Sequence, residues 1–501
     1  MGAVSTRPKR AAAATGDPPS IAAGRLLALT TAAYVCARSS ADPDLWGHVR
    51  FGLDILRNRE VSTVDPYSFT QDAPQINHEW LGDVFQALSY QAAGTLGLVL
   101  LKAAILTAAF VVVRSVVRRA GEPAGWWLMA AAVIPLGPIA FAVRPQVWTI
   151  LGIAIVCHIL APPAPRDRRL WLLPPLFALW ANLHGAWILG MAVAGLWLVG
   201  RVIDTRSLKE IVRPAAAIAL AFLATAINPH GWRVWLFFLS TASSARNIQE
   251  WRPVWEQHDP SFAVLWGITA VVVVATAIRR WRRLSWAAML PIAWFAVNGL
   301  IITRVAPLFG VVAAMSLASA WETPGAVRHS IQRRSPLFVV DAMAVALVAL
   351  LNLIPESRCL TMEGTWTPDL AAASAFEPPE IRGRVVLPID WGGYAIWHWG
   401  PRLRVSIDSR IGPTRGSETV YSDETIQTQI AIWTGQPEGL RYLDRVRPEY
   451  VWLKLPAGKT TQMWLRTNGY RIDVETPASF IARRDDLPPL TPAPSMSACF
   501  P

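Results

Sequence analysis

The sequence predicts a polytopic α-helical membrane protein of about 11 spans that carries a C-terminal extracytoplasmic α/β domain. Of the 501 residues, 53% are hydrophobic and only 16% are charged, a balance that is unusual for a soluble protein. Apolar runs alternate with short clusters of Lys and Arg, which is typical of membrane helices joined by cytoplasmic loops. Beyond residue 380 the long apolar runs give way to short strand-like segments, which indicates a domain outside the membrane.

Residues 1–20 are rich in Ala, Pro, Gly and basic residues, which predicts a disordered cytoplasmic arm. The segment 21–355 contains the predicted transmembrane domain. Its first apolar run could instead be a cleaved signal peptide, but no good small-x-small cleavage site precedes Asp42. The other runs are close to the length that spans a bilayer, although 170–183 is short. The predicted spans are 21–37, 96–117, 125–142, 146–161, 170–183, 187–203, 211–227, 262–278, 286–302, 305–321 and 336–354.

The basic residues predict the orientation of these spans. With the N-terminus in the cytoplasm, five basic clusters fall on the cytoplasmic side, where Lys and Arg are enriched. The odd number of spans then places residues after 355 on the extracytoplasmic side. The net charge of +12 is divided among these loops, which argues against nucleic-acid binding. The clusters lie within residues 114–119, 166–169, 201–213, 279–283 and 328–334.

The first outer loop, residues 38–95, is long and contains two predicted helices. Apolar residues recur from Leu45 to Leu56 at helical spacing, with polar residues between them, so this segment fits an amphipathic helix on the membrane surface. A turn-rich stretch with two X-Pro pairs follows. The segment from Glu79 to Ala93 then predicts a second helix ahead of the next span.

The extracytoplasmic α/β domain is predicted over residues 380–485. Short β-branched and aromatic runs predict four strands, and Thr460–Thr467 predicts a helix that ends near an Asn-Gly pair. Residues 486–501 are rich in Pro and predict a disordered tail. Cys359 and Cys499 both fall on the extracytoplasmic side of this topology, where oxidation can occur, so a disulfide between them is one prediction. The predicted strands are Val385–Ile389, Arg404–Ile407, Tyr450–Leu453 and Ser479–Ala482.

Acidic, basic and imidazole side chains gather in the outer loops and turns of this topology. Each piece has an ordinary structural interpretation: a helix cap for the Asp-Pro-Asp stretch, a snorkelling arginine, or a plain turn. Their joint location on one membrane face instead favours a site that binds a charged group and moves protons. The residues concerned are Asp42, Asp44, His48, His78, Glu79, Arg144, His184, His230 and Arg304.

These motifs resemble those of the GT-C membrane glycosyltransferases, and most of all a bacterial subgroup whose role is mostly undefined. The resemblance runs from residue 40 to residue 485 and rests on the order and spacing of short motifs. This chain departs from the usual pattern at Gly47, where a second aromatic residue is common. The motifs begin at Asp42 (Asp-Pro-Asp-Leu-Trp), Asp65 (Asp-Pro-Tyr-Ser-Phe-Thr), His78 (His-Glu-Trp-Leu), Arg144 (Arg-Pro-Gln), Asn182 (Asn-Leu-His-Gly), Asn228 (Asn-Pro-His-Gly), Glu250 (Glu-Trp-x-Pro), Asp390 (Asp-Trp-Gly-Gly-Tyr) and Ile407 (Ile-Asp-Ser-Arg).

The resemblance implies a GT-C-like transmembrane domain that moves a sugar from a polyprenyl-phosphate donor to a cell-envelope glycan, lipid or protein on the extracytoplasmic side. A carboxylate must then take the acceptor proton, and cations must hold the departing phosphate. Asp42 or Asp44 is the implied base, and Arg144 and Arg304 are the implied phosphate ligands. The residues left to orient sugar or acceptor are His48, His78, Glu79, His184 and His230. Some GT-C enzymes hold a divalent metal ion at the acidic pair, and the sequence leaves that role of Asp42 and Asp44 open.

The competing interpretation is a membrane transporter or lipid flippase without enzymatic activity. Transport favours ionisable residues inside the spans, and Lys102 and Asp341 are the clear candidates there. A third interpretation makes the α/β domain the working part and the spans its anchor. Most of the polar residues lie at the outer surface, which favours chemistry at that surface over passage through the bilayer.

Overall fold

The computed structural model describes residues 18–161, 167–242, 251–257, 260–321, 338–362, 366–411, 420–493 and 498–501. Most of the predicted cytoplasmic arm and Glu250 of the Glu-Trp motif lie outside these ranges. The described helices are α1 (Pro19–Ala37), α2 (Pro43–Asn58), α3 (Trp80–Val117), α4 (Ala124–Val133), α5 (Gly137–Phe141), α6 (Val147–Leu160), α7 (Asp167–Leu170), α8 (Leu173–Leu183), α9 (Trp187–Thr205), α10 (Leu208–Ala224), α11 (Arg233–Ala242), α12 (Pro260–Arg279), α13 (Trp286–Ile301), α14 (Ala306–Leu317), α15 (Phe338–Arg358), α16 (Leu370–Ala373), α17 (Ile389–Trp399), α18 (Asp423–Thr434), α19 (Pro437–Val446) and α20 (Lys459–Thr467).

Every predicted apolar run falls on one or more of these helices, so the mainly helical membrane architecture is confirmed. Helices suit a bilayer because they satisfy all backbone hydrogen bonds within the segment. Among the described helices, α1, α3, α9, α12 and α15 are long and apolar enough to cross a membrane. The helices α4, α6, α13 and α14 are apolar but shorter. The count of eleven spans therefore stays a prediction.

Helices α1 and α15 run parallel, as expected of two helices that cross the membrane in the same direction. Near their N-terminal ends, Arg25 Nε donates to Asp341 Oδ2 over 2.5 Å. Near their C-terminal ends, Arg38 pairs with Glu356. Because an unpaired charge near lipid is costly, these two pairs fix the alignment of the helices as well as neutralising their ends.

The first loop folds as predicted at both of its helices. Helix α2 begins at Pro43, is capped by the side chain of the preceding Asp42, and buries one apolar face that includes Leu45 and Val49. Helix α3 contains the predicted loop helix and the next span in one element, with a kink at Ala93–Gly94 where Gly94 has φ of 57°. Glycine tolerates this left-handed backbone, so the chain turns there from the loop into the membrane.

The α/β domain contains a five-stranded mixed sheet with strand order β2-β1-β3-β5-β4. Strand β1 pairs in parallel with β2 and β3, whereas β5 pairs antiparallel with β3 and β4. All four predicted strands are present, but β1 ends at residue 386 and Ile389 begins helix α17 instead. Strand β4 was not predicted. The strands are β1 (Gly383–Val386), β2 (Leu403–Val405), β3 (Tyr450–Lys454), β4 (Tyr470–Glu475) and β5 (Ser479–Arg484).

Helix α2 is packed between the membrane domain and the α/β domain. A Cβ atom on Gly52 would lie 2.1 Å from the carbonyl oxygen of Asp83 in α3. On the other side, a Cβ atom on Gly393 of α17 would lie 2.6 Å from the carbonyl oxygen of Pro43. Both distances are too short for a side chain, so two glycines allow α2 to contact both neighbours closely. The position of α2 therefore depends on both domains.

The first loop also extends the sheet of the α/β domain. Val405 N donates to Tyr67 O over 2.8 Å, and Phe69 N donates to Val405 O over 3.1 Å, so residues 67–69 lie beside the edge strand β2. An exposed strand edge tends to acquire a partner, and here the loop supplies one. The loop and the α/β domain, which are more than 300 residues apart in sequence, are therefore joined by backbone pairing.

Part of the tail that was predicted to be disordered is packed against the first loop. Cys359 and Cys499 form a disulfide with Cα atoms 4.9 Å apart. Next to it, the buried Phe500 ring lies 5.5 Å from the Trp46 ring and 5.9 Å from the Tyr90 ring. The Pro-rich composition of residues 486–501 did not indicate this contact, because the anchoring comes from partners distant in sequence.

Candidate functional site

The candidate site lies at one end of the helical bundle, which we call the loop face and define as residues 38–79, 142–146, 184–186, 225–232 and 302–305. Two of its turns are joined directly by backbone hydrogen bonds. Ser40 N donates to Phe141 O over 3.0 Å, and Val143 N donates to Ser40 O over 3.1 Å. This pairing brings Arg144 next to the residues that start helix α2.

Arg144 contacts both carboxylates of the Asp-Pro-Asp stretch. Its Nε lies against Asp42 Oδ2, and its Nη2 lies against Asp44 Oδ2. The planar guanidinium can bridge two carboxylates because it presents several donors in a fixed fork. Asp42 is almost fully buried, whereas the Asp44 side chain is 28% exposed. The sequence-predicted acidic pair and arginine therefore form one cluster, with Asp44 on its accessible side.

Asp42 has both carboxylate oxygens engaged. Oδ1 accepts from Asp44 N over 2.9 Å, which caps α2, and Oδ2 contacts Arg144. Burial raises the pKa of Asp42, the guanidinium of Arg144 lowers it, and the neighbouring Asp44 raises it again, to about 7 overall. A carboxyl group that titrates near neutral pH is typical of functional sites.

His48 lies one helical turn after Asp44 on α2 and is held from the side of α3. Its Nδ1 donates to Asp83 Oδ1 over 2.7 Å, and Asn77 Nδ2 donates to Asp83 Oδ2 over 2.8 Å. Burial lowers the pKa of His48, but the adjacent Asp83 and the more distant Glu79 raise it to about 9. The imidazole is therefore protonated at neutral pH.

Glu79 joins two further histidines at the start of α3. Its Oε1 lies 3.1 Å from His78 Nε2 and 3.5 Å from His184 Nε2. His184 Nδ1 accepts from Ala186 N over 3.3 Å and lies 2.6 Å from Thr149 Oγ1. Because Nδ1 accepts a backbone N–H, the proton of a neutral ring must be on Nε2, which points it toward Glu79.

The charges of this group follow from burial and proximity. Burial lowers the pKa of His184 to about 3, and the positive Arg304 acts in the same direction, so this ring is neutral at pH 7. Burial raises the pKa of Glu79. The neighbouring imidazoles lower this pKa by more than burial raises it, so it ends well below its ordinary value. The loop face thus holds an ionised glutamate, a neutral histidine and, in His48, a charged histidine.

The remaining predicted residues lie at the edge of this group. His230 Nε2 lies 3.2 Å from the carbonyl oxygen of Asn77, and its own backbone N–H donates to Asn228 over 2.7 Å. Arg304 is half-buried just before α14 and close enough to influence the pKa of His184. Asn182 connects two turns, because it accepts from Trp80 Nε1 over 2.6 Å and donates to Ile227 O over 2.8 Å.

A divalent cation does not fit the acidic pair as the described residues are arranged. The guanidinium of Arg144 takes the position between the carboxylates that such an ion would need. Within the described ranges, no group of three or more His, Cys, Asp and Glu side chains is suited to holding a metal ion. We therefore assign no chemical step to a metal.

Three residues that orient the predicted histidines, Asn77, Asp83 and Thr149, were not predicted from the sequence. Asp83 carried a usable signal, because it is an acidic residue four positions after Glu79 and so on the same face of a helix. Asn77 and Thr149 carried none, because a polar residue in a turn or at the start of a helix is common. Their roles depend on contacts between elements distant in sequence.

No protein-family profile matches the sequence, and no curated protein matches it. Several solved structures are nevertheless similar in fold. The oligosaccharyltransferase AglB from Archaeoglobus fulgidus aligns with a TM-score of 0.52 at 12% identity, over 94% of this chain and 76% of that chain. ArnT from Cupriavidus metallidurans aligns with a TM-score of 0.52 at 12% identity, over 92% of this chain and 96% of that chain.

Both similar proteins are GT-C glycosyltransferases, and each alignment includes the membrane helices and the α/β domain, since it covers more than nine-tenths of this chain. At these identities the similarity shows the fold and leaves the activity to be argued from the site. The chain has the GT-C fold, the architecture of polytopic membrane glycosyltransferases.

Proposed function

We propose that this protein is a membrane glycosyltransferase that moves a sugar from a polyprenyl-phosphate donor to a cell-envelope acceptor. The observation that carries the proposal is the cluster of Asp42, Asp44 and Arg144 at the loop face of a GT-C fold. The cluster combines a proton acceptor with a phosphate-binding cation, which are the two groups that the reaction requires.

We assign the role of general base to Asp44. Both oxygens of Asp42 are engaged by a helix cap and by Arg144, whereas Asp44 is more exposed and contacts Arg144 through one oxygen. In the proposed step, an acceptor hydroxyl attacks the anomeric carbon and gives its proton to Asp44. The bond from that carbon to the phosphate oxygen breaks, and the lipid phosphate leaves with the electron pair.

Arg144 and Arg304 are the proposed ligands of the departing phosphate. A guanidinium binds phosphate oxygens through paired hydrogen bonds, and Arg144 already lies beside the proposed base. The complex of AglB with dolichol-phosphate supports a lipid-phosphate donor for this fold. We assign His78, Glu79, His184 and His230 to the sugar and the acceptor, because they line the loop face next to the cluster.

We place the loop face on the extracytoplasmic side of the membrane. The excess of Lys and Arg in the opposite loops supports this orientation. The disulfide between Cys359 and Cys499 supports it as well, because disulfides persist in oxidising compartments.

The transporter interpretation loses its two candidate residues. Lys102 Nζ donates to three carbonyl oxygens, those of Val35, Arg38 and Ala140, at 3.2, 2.5 and 3.1 Å. Asp341 is paired with Arg25. Both side chains thus have partners that explain their presence in the bundle without a transported solute.

Mass spectrometry of envelope glycans, lipids and proteins, from cells with and without the protein, tests the proposed function. We expect the loss of one defined sugar from one acceptor class, restored by the wild-type chain and not by Asp44→Asn. An unchanged envelope together with altered export of a solute would overturn the proposal.

If a sugar is lost, purified protein in lipid vesicles, supplied with a polyprenyl-phosphate sugar, would identify the donor.

A further inference from the structure

His48 of the loop face and Asp83 in the first turn of α3 form a dyad beside the cluster of Asp42, Asp44 and Arg144. Asp83 is 1% exposed and uses one carboxylate oxygen for His48 Nδ1, at 2.7 Å, and the other for Asn77 Nδ2, at 2.8 Å. A carboxylate that bonds one ring nitrogen fixes both the orientation and the tautomer of an imidazole. Asp83 therefore leaves His48 with one nitrogen, Nε2, for another partner.

The other nitrogen of His48 is available for a ligand. Within the described ranges, Nε2 makes no hydrogen bond to a protein group, and the His48 side chain is 18% exposed, which allows access from the loop face. The charged groups around the ring are acidic: Asp44 on its own helix, and Asp83 and Glu79 from the side of α3, with Asp42 close enough to interact electrostatically. His184 is a further titratable group close enough to interact with the ring, and it is neutral at pH 7. An acidic surrounding keeps the ring cationic, so Nε2 is a charged donor.

The close packing of α2 on α3 makes this geometry rigid. The carbonyl oxygen of Asp83 would lie only 2.1 Å from a Cβ atom placed on Gly52, one turn after His48. A donor that is held in place before its ligand arrives costs little reorganisation when charge develops on that ligand. The dyad has this property.

We propose that Asp83 is a positioning residue that holds His48 as a cationic hydrogen-bond donor to the phosphate of the lipid donor. His48 then acts on the departing phosphate together with Arg144, not on the sugar or the acceptor. This inference rests on the proposed function and adds to its two arginine ligands a third phosphate ligand, His48, and the residue that orients it. As the phosphate leaves, His48 Nε2–H donates to an oxygen that gains negative charge, and the proton stays on the ring.

Two measurements on the purified full-length protein test the proposal. The first follows His48 by nuclear magnetic resonance in protein with ¹⁵N-labelled histidine, with His48→Gln used to assign the signal. In the wild type the ring should titrate near pH 9. In Asp83→Asn, which keeps the size of the side chain but removes its charge, the midpoint should fall by about 1–3 pH units, the usual effect of one adjacent opposite charge.

The second measurement is the binding of farnesyl phosphate, a short polyprenyl phosphate, with farnesol as the control ligand. At pH 7.5 we expect Asp83→Asn and His48→Gln each to weaken binding of the phosphate by about tenfold, the effect of one charge-assisted hydrogen bond, without changing farnesol binding. Above pH 9 the wild type should lose the same affinity, and His48→Gln should show no such loss. His48→Gln leaves α3 intact, so it tests the proposal even if Asp83→Asn fails to fold.

The two hypotheses fail in different ways. If the wild type binds farnesyl phosphate but both variants bind it equally well, the assignment of His48 and Asp83 is wrong and the proposed function stands. If the wild type does not bind farnesyl phosphate at all, the lipid-phosphate donor is wrong and the phosphate role of His48 falls with it, whatever the ring titration shows.

Discussion

Two groups in this molecule have the same composition, two aspartates and one arginine, and each takes at least one aspartate from the first loop. One is Asp42, Asp44 and Arg144 at the loop face. The other joins the loop to the α/β domain, where Arg410 Nη2 donates to Asp65 over 2.8 Å and to Asp408 over 2.6 Å. We call the first the loop-face triad and the second the interdomain triad.

The two triads differ in what else the carboxylates bind. In the interdomain triad, Asp65 also accepts from two backbone N–H groups, and Asp408 accepts from the Arg410 backbone and from Tyr421 Oη. The Asp65 and Asp408 side chains are 0% and 2% exposed. In the loop-face triad, Asp44 is 28% exposed and contacts Arg144 alone among the described side chains.

This difference separates a structural role from a chemical one. A buried ion pair whose oxygens are fully hydrogen-bonded is stable only as a complete unit, and it has no capacity left for a substrate. A partly exposed carboxylate with a free oxygen can accept a proton from a ligand. The same combination of two aspartates and one arginine thus joins the first loop to the α/β domain in one place and, on our proposal, serves catalysis in the other.

The largest effect should follow from Asp44→Asn, which removes the proposed base but keeps its shape. We expect the initial rate of sugar transfer in vesicles to fall by about 10²- to 10⁴-fold, the usual contribution of a general base. The midpoint of thermal unfolding should stay close to that of the wild type. A variant that keeps its full rate would exclude Asp44 as the base. If Asp42→Asn also keeps its full rate, neither carboxylate has that role.

Arg410→Met should mainly lower the stability of the protein, because it leaves two buried carboxylates without their cation. We expect unfolding to become easier by about 3–5 kcal/mol, the typical cost of breaking a buried ion pair. Thermal unfolding in detergent measures this effect. Arg404→Met is the matched control, since Arg404 is exposed on the neighbouring strand β2. Equal stability of the two variants would show that the interdomain triad does not hold the domains together.

Gly393→Ala tests whether the α/β domain supports the loop-face triad. The added methyl group would collide with the carbonyl oxygen of Pro43, between Asp42 and Asp44, so α2 must shift. Overpacking of this kind costs about 1–3 kcal/mol, and we expect a lower transfer rate as well as lower stability. Gly267→Ala in α12 is the control, because a Cβ atom there meets nothing within 4 Å. A wild-type transfer rate in Gly393→Ala would show that the α/β domain does not support the loop-face triad.

The smallest effect is the pH dependence of the loop-face triad. Since the pKa of Asp42 is raised to about 7, the group is ionised above that pH and gains a proton below it. Protonated Asp42 no longer attracts Arg144, which then pairs with Asp44 alone and weakens it as a base. The transfer rate should therefore fall as the pH drops through about 7. This limb should be absent from the residual activity of Asp42→Asn and present in the control Arg404→Met. A flat profile in the wild type would contradict the assignment.

Much of the fold could be predicted from the sequence, because apolar runs and short strand patterns are local signals. Helix α2 was predicted from the spacing of Leu45 and Val49, and each apolar run falls on one or more helices. Helix α17 was missed because the Gly392–Gly393 pair is typical of a turn, whereas in the structure Gly393 permits close packing on α2. Strand β4 carried a period-two alternation that could have been recognised.

The site could be predicted less completely. Topology was enough to bring Asp42, Asp44 and Arg144 to one face, but the bridging of both carboxylates by one guanidinium depends on the pairing of Ser40 with residues 141–143. Asp83 was overlooked, although it determines the charge of His48. In each case the missing information was a contact between segments far apart in sequence.

The pairing of residues 67–69 with strand β2 has a consequence for how this protein can be divided. The change in composition near residue 380 suggests a place to cut, yet the sheet continues past it into the first loop. A fragment that begins at residue 380 would lose its neighbour at β2 and would uncover the face of α17 that covers α2. Such a fragment should aggregate when made alone, and transplanting it onto a related membrane domain should succeed only if the first loop is moved with it.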